Sequence, residues 1–350
     1  MRTDNKTLHG IKEDAERIPL VVWSCITLIS SLGGDTLILI STTRYRAIKQ
    51  HKVIVTVIQH LAVCDLMQTV FRVIPVTMAI QTDTWIAGEF LCHVQDNVGW
   101  IGAGATILLT CTMTTFKLVT VRHPLSAGTL SARFGHRVCC VVWFLVLLLY
   151  SPVFYVKMRF LRETIHFSYS DYECNYSYRG TGLNIPDWYD TYFLVCFPVI
   201  TLISYPILII TSLLLLIVAR RVAREQNQTL RKEGVITVLL TVLVLFISYL
   251  PLSVTFVTWV LGVQYSDTVW RAACYVQYLN IMANFFVYCI TVSSFRQFIW
   301  KKIVSAFLFP KRSIRRLRGK APVAVVKDTS SEAAKLQKNV TACTLDSTVF

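Results

Sequence analysis

The stretch TTFKLVTVRHPL, residues 114–125, closes a long apolar run and places Lys117 where apolar sequence gives way to polar sequence. The chain has 350 residues, of which 54% are hydrophobic and only 16% are charged. This composition is more apolar than a soluble domain requires, and it indicates a membrane protein. Seven runs are nearly free of charge and long enough to cross a bilayer as helices: 19–42, 53–81, 91–121, 138–156, 191–219, 235–262 and 270–292. The sequence therefore predicts an all-α membrane protein, a bundle of seven transmembrane helices.

Basic residues predict the orientation of this bundle. The loops after the first, third and fifth runs are rich in Lys and Arg, whereas QTDTWIAGEF after the second run and GVQYSDTVW after the sixth contain neither. The positive-inside rule therefore places the N-terminus outside and the C-terminus inside, as expected of a multi-pass protein of the plasma membrane. The net charge of +15 then reflects a cytoplasmic face beside anionic lipid, and it requires no nucleic-acid partner.

The runs divide the chain into three parts. Residues 1–18 are a polar extracellular N-terminus, 19–306 are the transmembrane domain, and 307–350 are a polar tail predicted to be disordered. SSFRQFIWKKIVSAF, residues 293–307, has one apolar helical face and predicts an amphipathic eighth helix on the inner leaflet. Serines and threonines of the tail are candidate phosphorylation sites, and Thr348–Phe350 is a candidate PDZ-domain ligand.

Two of the eleven cysteines lie on the predicted outer face. Cys92 lies at the outer end of the third run, and Cys174 lies in the loop after the fourth. Because disulfides persist in an oxidising compartment, we expect one between them. The loop HFSYSDYECNYSY alternates polar and aromatic residues around Cys174, which predicts a β-hairpin tied to the third helix. Asn5 and Asn175 begin sequons on the same side and are candidate glycosylation sites.

The ordered set of motifs resembles the rhodopsin-like (class A) G-protein-coupled receptors over residues 19–306. The motifs are LAVCDL in helix two, W..GEFLC before helix three, HPL after it, Trp143, Pro198, Pro251, and NFFVY followed by FRQF. In this family an arginine motif lies 25 residues after the helix-three cysteine, which is the separation of Cys92 from Lys117. The resemblance therefore implies coupling to a heterotrimeric G protein at Phe116, Lys117 and Leu118. It also implies that arrestin could bind the phosphorylated tail.

Those residues depart from the family pattern. The resemblance implies that an acid should precede the coupling cation, but Phe116 occupies that position, and lysine lacks the planar fork of arginine. Glu233 at the start of helix six is a candidate partner for Lys117; alternatively, Lys117 extends to the membrane interface. Tyr205 and Tyr288 complete the predicted coupling switch.

Helices six and seven depart from the pattern as well. The family's Cys-Trp-x-Pro motif is represented by Ser248 to Pro251, with Tyr249 at the toggle position. The Asn-Pro-x-x-Tyr motif keeps Asn284 and Tyr288 but has Phe285 in place of its proline, so helix seven is expected to be straighter.

Asp35 and Asp65 lie well inside predicted helices, where a carboxylate is costly. Asp65 matches the family's sodium-binding aspartate, and the resemblance adds Thr106, Asn280 and Asn284 as further members of a polar core for an allosteric sodium ion. Asp35 stands where the family has asparagine. Because two adjacent carboxylates should not both ionise, either a cation is shared between them or Asp35 is neutral and forms hydrogen bonds as asparagine would.

Arg72 lies seven residues after Asp65, on the same helical face and nearer the outside. A buried guanidinium needs an anion, which could come from a ligand or from Glu89 or Asp96. The resemblance places Gly99, 18 residues before Lys117, where amine receptors have an aspartate, and helix seven lacks the lysine that binds retinal. The other pocket candidates are Trp100 and Tyr278.

The sequence thus predicts a receptor for an extracellular peptide, with a small-molecule receptor, for an amine or an anion, as the alternative. The hairpin, rich in tyrosine, offers amphipathic contact area suited to peptides. A receptor that does not signal, and a transporter built on Asp35 and Asp65, remain rival interpretations. We expect no enzymatic activity, because no combination of nucleophile and base lies outside the predicted helices.

Overall fold

Seven long helices and one two-stranded sheet form the part of the chain that the computed structural model describes. These described residues are 4–44, 52–82, 84–123, 131–160, 165–168, 173–176, 188–225, 229–261, 263, 266–292, 295–297 and 299–300. The helices are α1 (Asp4–Arg44), α2 (Lys52–Thr82), α3 (Gly88–Arg122), α4 (Ala132–Phe160), α5 (Trp188–Glu225), α6 (Thr229–Val260) and α7 (Asp267–Thr291). The strands are β1 (Ile165–Ser168) and β2 (Glu173–Tyr176).

Each of the seven predicted runs overlaps one of these helices, which confirms the seven-helix bundle; the runs 235–262 and 270–292 continue one or two residues past the last residues of α6 and α7. The spans that are long and apolar enough to cross a membrane overlap all seven runs: the first is Arg17–Thr43 against a predicted 19–42, whereas the fifth is Val199–Val218 against a predicted 191–219. Helix α1 nevertheless begins at Asp4. The apolar run marks the segment suited to lipid, whereas helical hydrogen bonds continue through polar sequence, so the helix is longer than the span.

Helix α3 lies at the centre of the bundle, where it packs against α2, α4, α5 and α6. Its side chains Ile107, Leu109 and Met113 are fully buried in the main apolar core. Helix α4 is peripheral, since Phe144 and Leu148 are more than half exposed. Large apolar side chains on the outside of such a bundle are suited to contact with lipid rather than water.

The strands form the hairpin that the sequence predicts. They pair antiparallel, with Phe167 opposite Cys174, and β2 packs beside α3. Cys92 on α3 is disulfide-bonded. The side chain of Cys174 lies outside the described residues, so the pairing of these two cysteines stays a prediction.

The W..G motif begins α3. Gly88 has a φ of 76°, in the left-handed region that side chains disfavour, and the Trp85 Nε1–H donates to its carbonyl oxygen at 2.9 Å. The indole therefore fixes the turn from which α3 starts, at the end of the bundle that holds Cys92. We call this the pocket end and the opposite end, which holds Lys117, the coupling end.

Helix α2 changes its hydrogen-bonding pattern in the middle. Lys52–Gln68 is α-helical, Thr69–Val73 forms a π-helical turn, and Ile74–Thr82 is α-helical again. Such turns often occur at functional sites, because the extra residue redirects the side chains around it. Both Thr69 and Arg72 belong to this turn.

Helix α7 is an unbroken helix without an internal proline, as expected from Phe285. The Phe285 ring lies 6.2 Å from that of Phe295, which is buried at the start of the predicted eighth helix. Only residues 295–297 and 299–300 of that helix are described, and they are helical. The tail with its arrestin and PDZ predictions, and the side chains of Asn5 and Asn175, lie outside the described residues.

Candidate functional site

Asp35 and Asp65, the acid pair, lie in the interior of the bundle and are both 0% exposed. The Asn284 side-chain amide on α7 donates to Asp65 Oδ2 at 2.6 Å. The pair therefore links α1 and α2 to α7, and the structure brings three of the five predicted polar-core residues together.

Two hydroxyl groups connect the acids. Ser31 Oγ, one turn before Asp35, lies 2.7 Å from Asp35 Oδ2 and 2.6 Å from Thr69 Oγ1. Thr69, one turn after Asp65, donates to the Asp65 backbone carbonyl at 2.7 Å. We use the term polar core for Ser31, Asp35, Asp65, Thr69 and Asn284.

The number of hydrogens available for these contacts between oxygens indicates whether Asp35 is protonated. Three close contacts between oxygens require three hydrogens, but Ser31 and Thr69 supply only one each. A proton on Asp35 supplies the third if Asp35 donates to Ser31, Ser31 to Thr69, and Thr69 to the Asp65 carbonyl. Asp35 is neutral in that arrangement, and the alternative is a cation shared between the two acids.

The polar core also contains oxygens that accept no hydrogen bond from a described residue. Asp35 Oδ1, Asp65 Oδ1 and Asn284 Oδ1 are buried and have no hydrogen-bond partner among the described residues. Carboxylate and amide oxygens are the donors that hard cations prefer, so these atoms fit a sodium ion chemically. The Thr106 hydroxyl instead lies 3.4 Å from Cys64 Sγ, and the Asn280 Nδ2 amide is buried without a described partner.

The proton on Asp35 predicts the result of substituting that residue. Asp35→Asn should retain the thermal stability of the purified receptor, because an amide N–H can donate to Ser31 in place of the acid. Asp35→Leu should cost about 1–3 kcal/mol, because Ser31 and Thr69 are left with an unsatisfied contact. Thermal unfolding in detergent measures both; equal destabilisation by the two variants would show that Asp35 must be ionised.

Arg72 extends from the π turn of α2 across the bundle at the pocket end. It is 8% exposed, and its Nη1 donates to Gln277 Oε1 on α7 at 3.2 Å. Its guanidinium carbon lies 5.4 Å from the centroid of the Tyr278 ring, a cation–π distance. The structure therefore brings Arg72 and Tyr278 together, as predicted for pocket residues.

Gly99 on α3 makes room for this guanidinium. A Cβ atom at residue 99 would lie 3.0 Å from Arg72 Nη1 and 3.1 Å from Arg72 Cδ, tighter than most real Cβ contacts. Trp100 follows on the same helix and packs edge-to-face on Phe256, with ring centroids 5.2 Å apart, and Phe256 lies 5.8 Å from Trp270. The aromatic ring that the structure places over the cation is that of Tyr278. The side chains of Glu89 and Asp96 lie outside the described residues, so an ion pair with either stays a prediction.

At the coupling end, Lys117 is 5% exposed, so its side chain is covered by protein along most of its length. Phe116 packs edge-to-face on Phe134 of α4, with centroids 6.0 Å apart, and Leu118 packs against the main apolar core. Phe116 therefore acts as a packing residue in the position of the family's acid. The side chain of Glu233 lies outside the described residues, so its pairing with Lys117 stays a prediction.

Tyr205 lies away from Lys117. Its hydroxyl is 2.9 Å from Ser253 Oγ, and its ring lies 5.0 Å from Phe246. Its neighbour Ser204 accepts from Cys111, which is six residues, or about 9 Å of helix, from Lys117. The structure therefore groups Tyr205 with the segment around Tyr249 and Pro251, where Tyr249 is fully buried. Tyr288 is buried near Phe295, and its hydroxyl has no partner among the described residues.

Sequence reasoning missed several residues of these sites. Ser31 and Thr69 lie one turn from each acid, on the same helical face, so the i, i+4 spacing could have identified them. Gln277 could not be identified in this way, because its contact depends on how α7 packs against α2. Among the described residues no group of three His, Cys, Asp or Glu side chains could hold a metal ion, so a cation would depend on the amide and hydroxyl oxygens as well.

Comparison with known proteins agrees with this geometry. The model of the seven-transmembrane receptors of the rhodopsin family matches residues 34–294. The chain is 26% identical to chemerin-like receptor 1 of Rattus norvegicus over 162 residues, which are 46% of this chain and 41% of that receptor. It is 26% identical to G-protein coupled receptor homolog K2 of Swinepox virus over 164 residues, with the same coverage of 46% and 41%.

Human chemerin-like receptor 1 is 27% identical over 135 residues, which are 38% of this chain and 35% of that receptor. The matched segments thus span about two-fifths of the length of these relatives. All three are receptors or receptor homologues rather than enzymes.

Proposed function

The chain belongs to the rhodopsin family of seven-transmembrane receptors, and on that premise we propose that it converts the binding of an extracellular peptide into activation of an intracellular heterotrimeric G protein. In this proposal the peptide binds at the pocket end, around Arg72, Gly99 and Trp100. The G protein binds at the coupling end, around Lys117.

The observation that carries the proposal is the π turn shared by the pocket and the polar core. Arg72 in this turn contacts Gln277 on α7, while Thr69 in the same turn contacts Ser31 on α1 and the Asp65 carbonyl. Asp65 in turn accepts from Asn284 on α7. A ligand that moves Arg72 therefore pulls on both α2 and α7, the helices whose relative position the polar core fixes.

Three further observations support a peptide and the predicted orientation. Two relatives are named chemerin-like receptors, and a hairpin lid beside α3 offers the broad contact area that peptides use. The disulfide-bonded Cys92 at the pocket end is expected in an oxidising compartment, which favours an extracellular pocket end in the plasma membrane. The uncontacted oxygens of Asp65 and Asn284 support a sodium ion in the polar core.

A second candidate function is a receptor that binds ligand without activating a G protein. It is favoured by Phe116, which packs on Phe134 where the family has an acid, and by Phe285 in place of the helix-seven proline. A small-molecule ligand is the remaining alternative to a peptide.

One experiment separates these functions. The full-length receptor is expressed with G-protein dissociation sensors, and tissue extracts are applied in protease-treated and untreated halves, with cells that lack the receptor as the control. We expect a response that protease abolishes. A response that survives protease would indicate a small molecule, and silence in both halves, with surface expression established, would favour the receptor that does not signal.

A further inference from the structure

Two histidines from different helices meet at the coupling end of the bundle. His60 lies on α2 and His136 on α4, and Nε2 of His60 is 3.1 Å from Nδ1 of His136. Their ring centroids are 5.3 Å apart, with an angle of 65° between the ring planes. His60 is partly buried, whereas His136 is exposed and lies about one turn from the start of α4. The two nitrogens therefore face each other where an ion from solution can reach them.

Close packing of the two helices holds the histidines in place. A Cβ atom at Gly135, the residue before His136, would lie 3.3 Å from Thr56 Cβ and 3.3 Å from Val53 Cα on α2. Thr56 lies one turn before His60, on the same face of α2. The helix backbones thus set the separation of the two rings, which lowers the cost of ordering them around a ligand.

The distance between the nitrogens fits two ligands of one metal ion. Zinc binds imidazole nitrogen at about 2.0–2.1 Å in tetrahedral geometry, which places two such nitrogens roughly 3.3 Å apart. The observed 3.1 Å is close to that value. When the ring hydrogens are on His60 Nδ1 and His136 Nε2, the two facing nitrogens both have lone pairs available for a metal. Imidazole suits zinc and its neighbours in the first transition row, whereas magnesium and calcium prefer oxygen.

We propose that His60 and His136 ligate a divalent transition-metal ion, zinc, which bridges α2 and α4 at the coupling end. Among the described residues no group of three His, Cys, Asp or Glu side chains could hold a metal, so water completes the coordination of the ion. The ion fixes the start of α2, the helix that carries Asp65, against α4. This site is independent of the proposed function, since neither the peptide nor the G protein takes part in it.

The test is a zinc titration of the purified full-length receptor in lipid nanodiscs, prepared without a polyhistidine tag and followed by thermal unfolding. It is done in a Cys140→Ser background, because this exposed free cysteine lies one turn after His136 and could bind zinc by itself. The unfolding temperature should rise with zinc concentration, as for any ligand that binds the folded state. Magnesium at the same concentrations should have no effect.

His60→Gln separates ligation from hydrogen bonding. Its amide N–H can still donate to His136, but an amide is a much poorer zinc ligand than imidazole. The zinc concentration that gives half of the stabilisation should rise about tenfold or more, at least the loss seen when the supporting partners of a metal site are removed. His136→Asn should have the same effect from the other helix. His123→Asn is the matched control, since His123 is an exposed histidine at the same end of the bundle, and it should leave the zinc response unchanged.

The absence of zinc stabilisation in the Cys140→Ser receptor overturns the proposal, even where the histidine variants fail to fold, and leaves the pair as a hydrogen bond between two imidazoles. A zinc response that survives both His60→Gln and His136→Asn also overturns it, because the ion then binds elsewhere. So does a loss in His123→Asn as large as that in His60→Gln. A loss confined to the two variants of the pair supports the site, whatever the outcome of the signalling experiment.

Discussion

Gly34→Ala is expected to remove most of the receptor from the cell surface. A Cβ atom at residue 34 would lie 2.5 Å from both Cβ and Cγ of Phe285 on α7, a distance that real Cβ atoms essentially never show. Helices α1 and α7 must then separate or Phe285 must leave its position. Because Gly34 precedes Asp35, any separation also pulls on the polar core. Overpacking of this kind costs about 1–3 kcal/mol and occasionally more, and we expect a value near the upper end.

Gly33→Ala provides the matched control, because a Cβ at residue 33 meets nothing within 4 Å. The two variants add the same methyl group to adjacent positions of one helix, so helix propensity cannot explain a large difference between them. Surface expression and thermal unfolding measure the effect. In a Phe285→Gly background, Gly34→Ala should have little further effect, since the atoms that it strikes are gone. Similar stability of the two single variants would contradict the observed approach of α1 and α7.

Phe285 also illustrates what the sequence could predict and what it could not. The loss of the helix-seven proline was visible in NFFVY, and the unbroken α7 followed from it. That Phe285 would pack onto Gly34 was not visible, because no local pattern records which faces of two distant helices meet. The membrane spans, in contrast, could be predicted from the lengths of the apolar runs, because the bilayer imposes the same thickness on every helix.

The candidate sites follow the same division. Asp35, Asp65 and Arg72 could be singled out because an ionisable group in an apolar run is costly. The π turn that holds Thr69 and Arg72 was not predicted, because the sequence analysis treated this run as one regular helix. Tyr205 was assigned to the coupling switch from its place in the chain, and the sequence did not predict that its hydroxyl lies 2.9 Å from Ser253 Oγ on α6.

Lys117→Met is expected to abolish the receptor's ability to release nucleotide from a G protein. Lys117 is 5% exposed at the coupling end, where a cation that is covered by protein is retained at a cost. Methionine preserves much of the side chain's length and apolar character while removing the charge, so packing around Phe116 should be kept. Lys117→Arg should preserve activity, because arginine offers the same charge with more donors. We expect at least a tenfold difference between Met and Arg, roughly the contribution of one charge-assisted contact.

Basal nucleotide exchange by the purified receptor in nanodiscs, with a panel of purified G proteins, measures this without a known agonist. Equal exchange by wild type and Lys117→Met at matched stability would show that the lysine has no part in coupling.

Glu233→Ala tests whether Glu233 restrains Lys117 in the receptor without ligand. Removal of a restraining carboxylate should raise basal exchange in the wild type and should have no effect in Lys117→Met, because the charge that the acid holds is absent there. A rise in both backgrounds would assign Glu233 a role independent of Lys117, whereas no rise in either would reject Glu233 as the restraint.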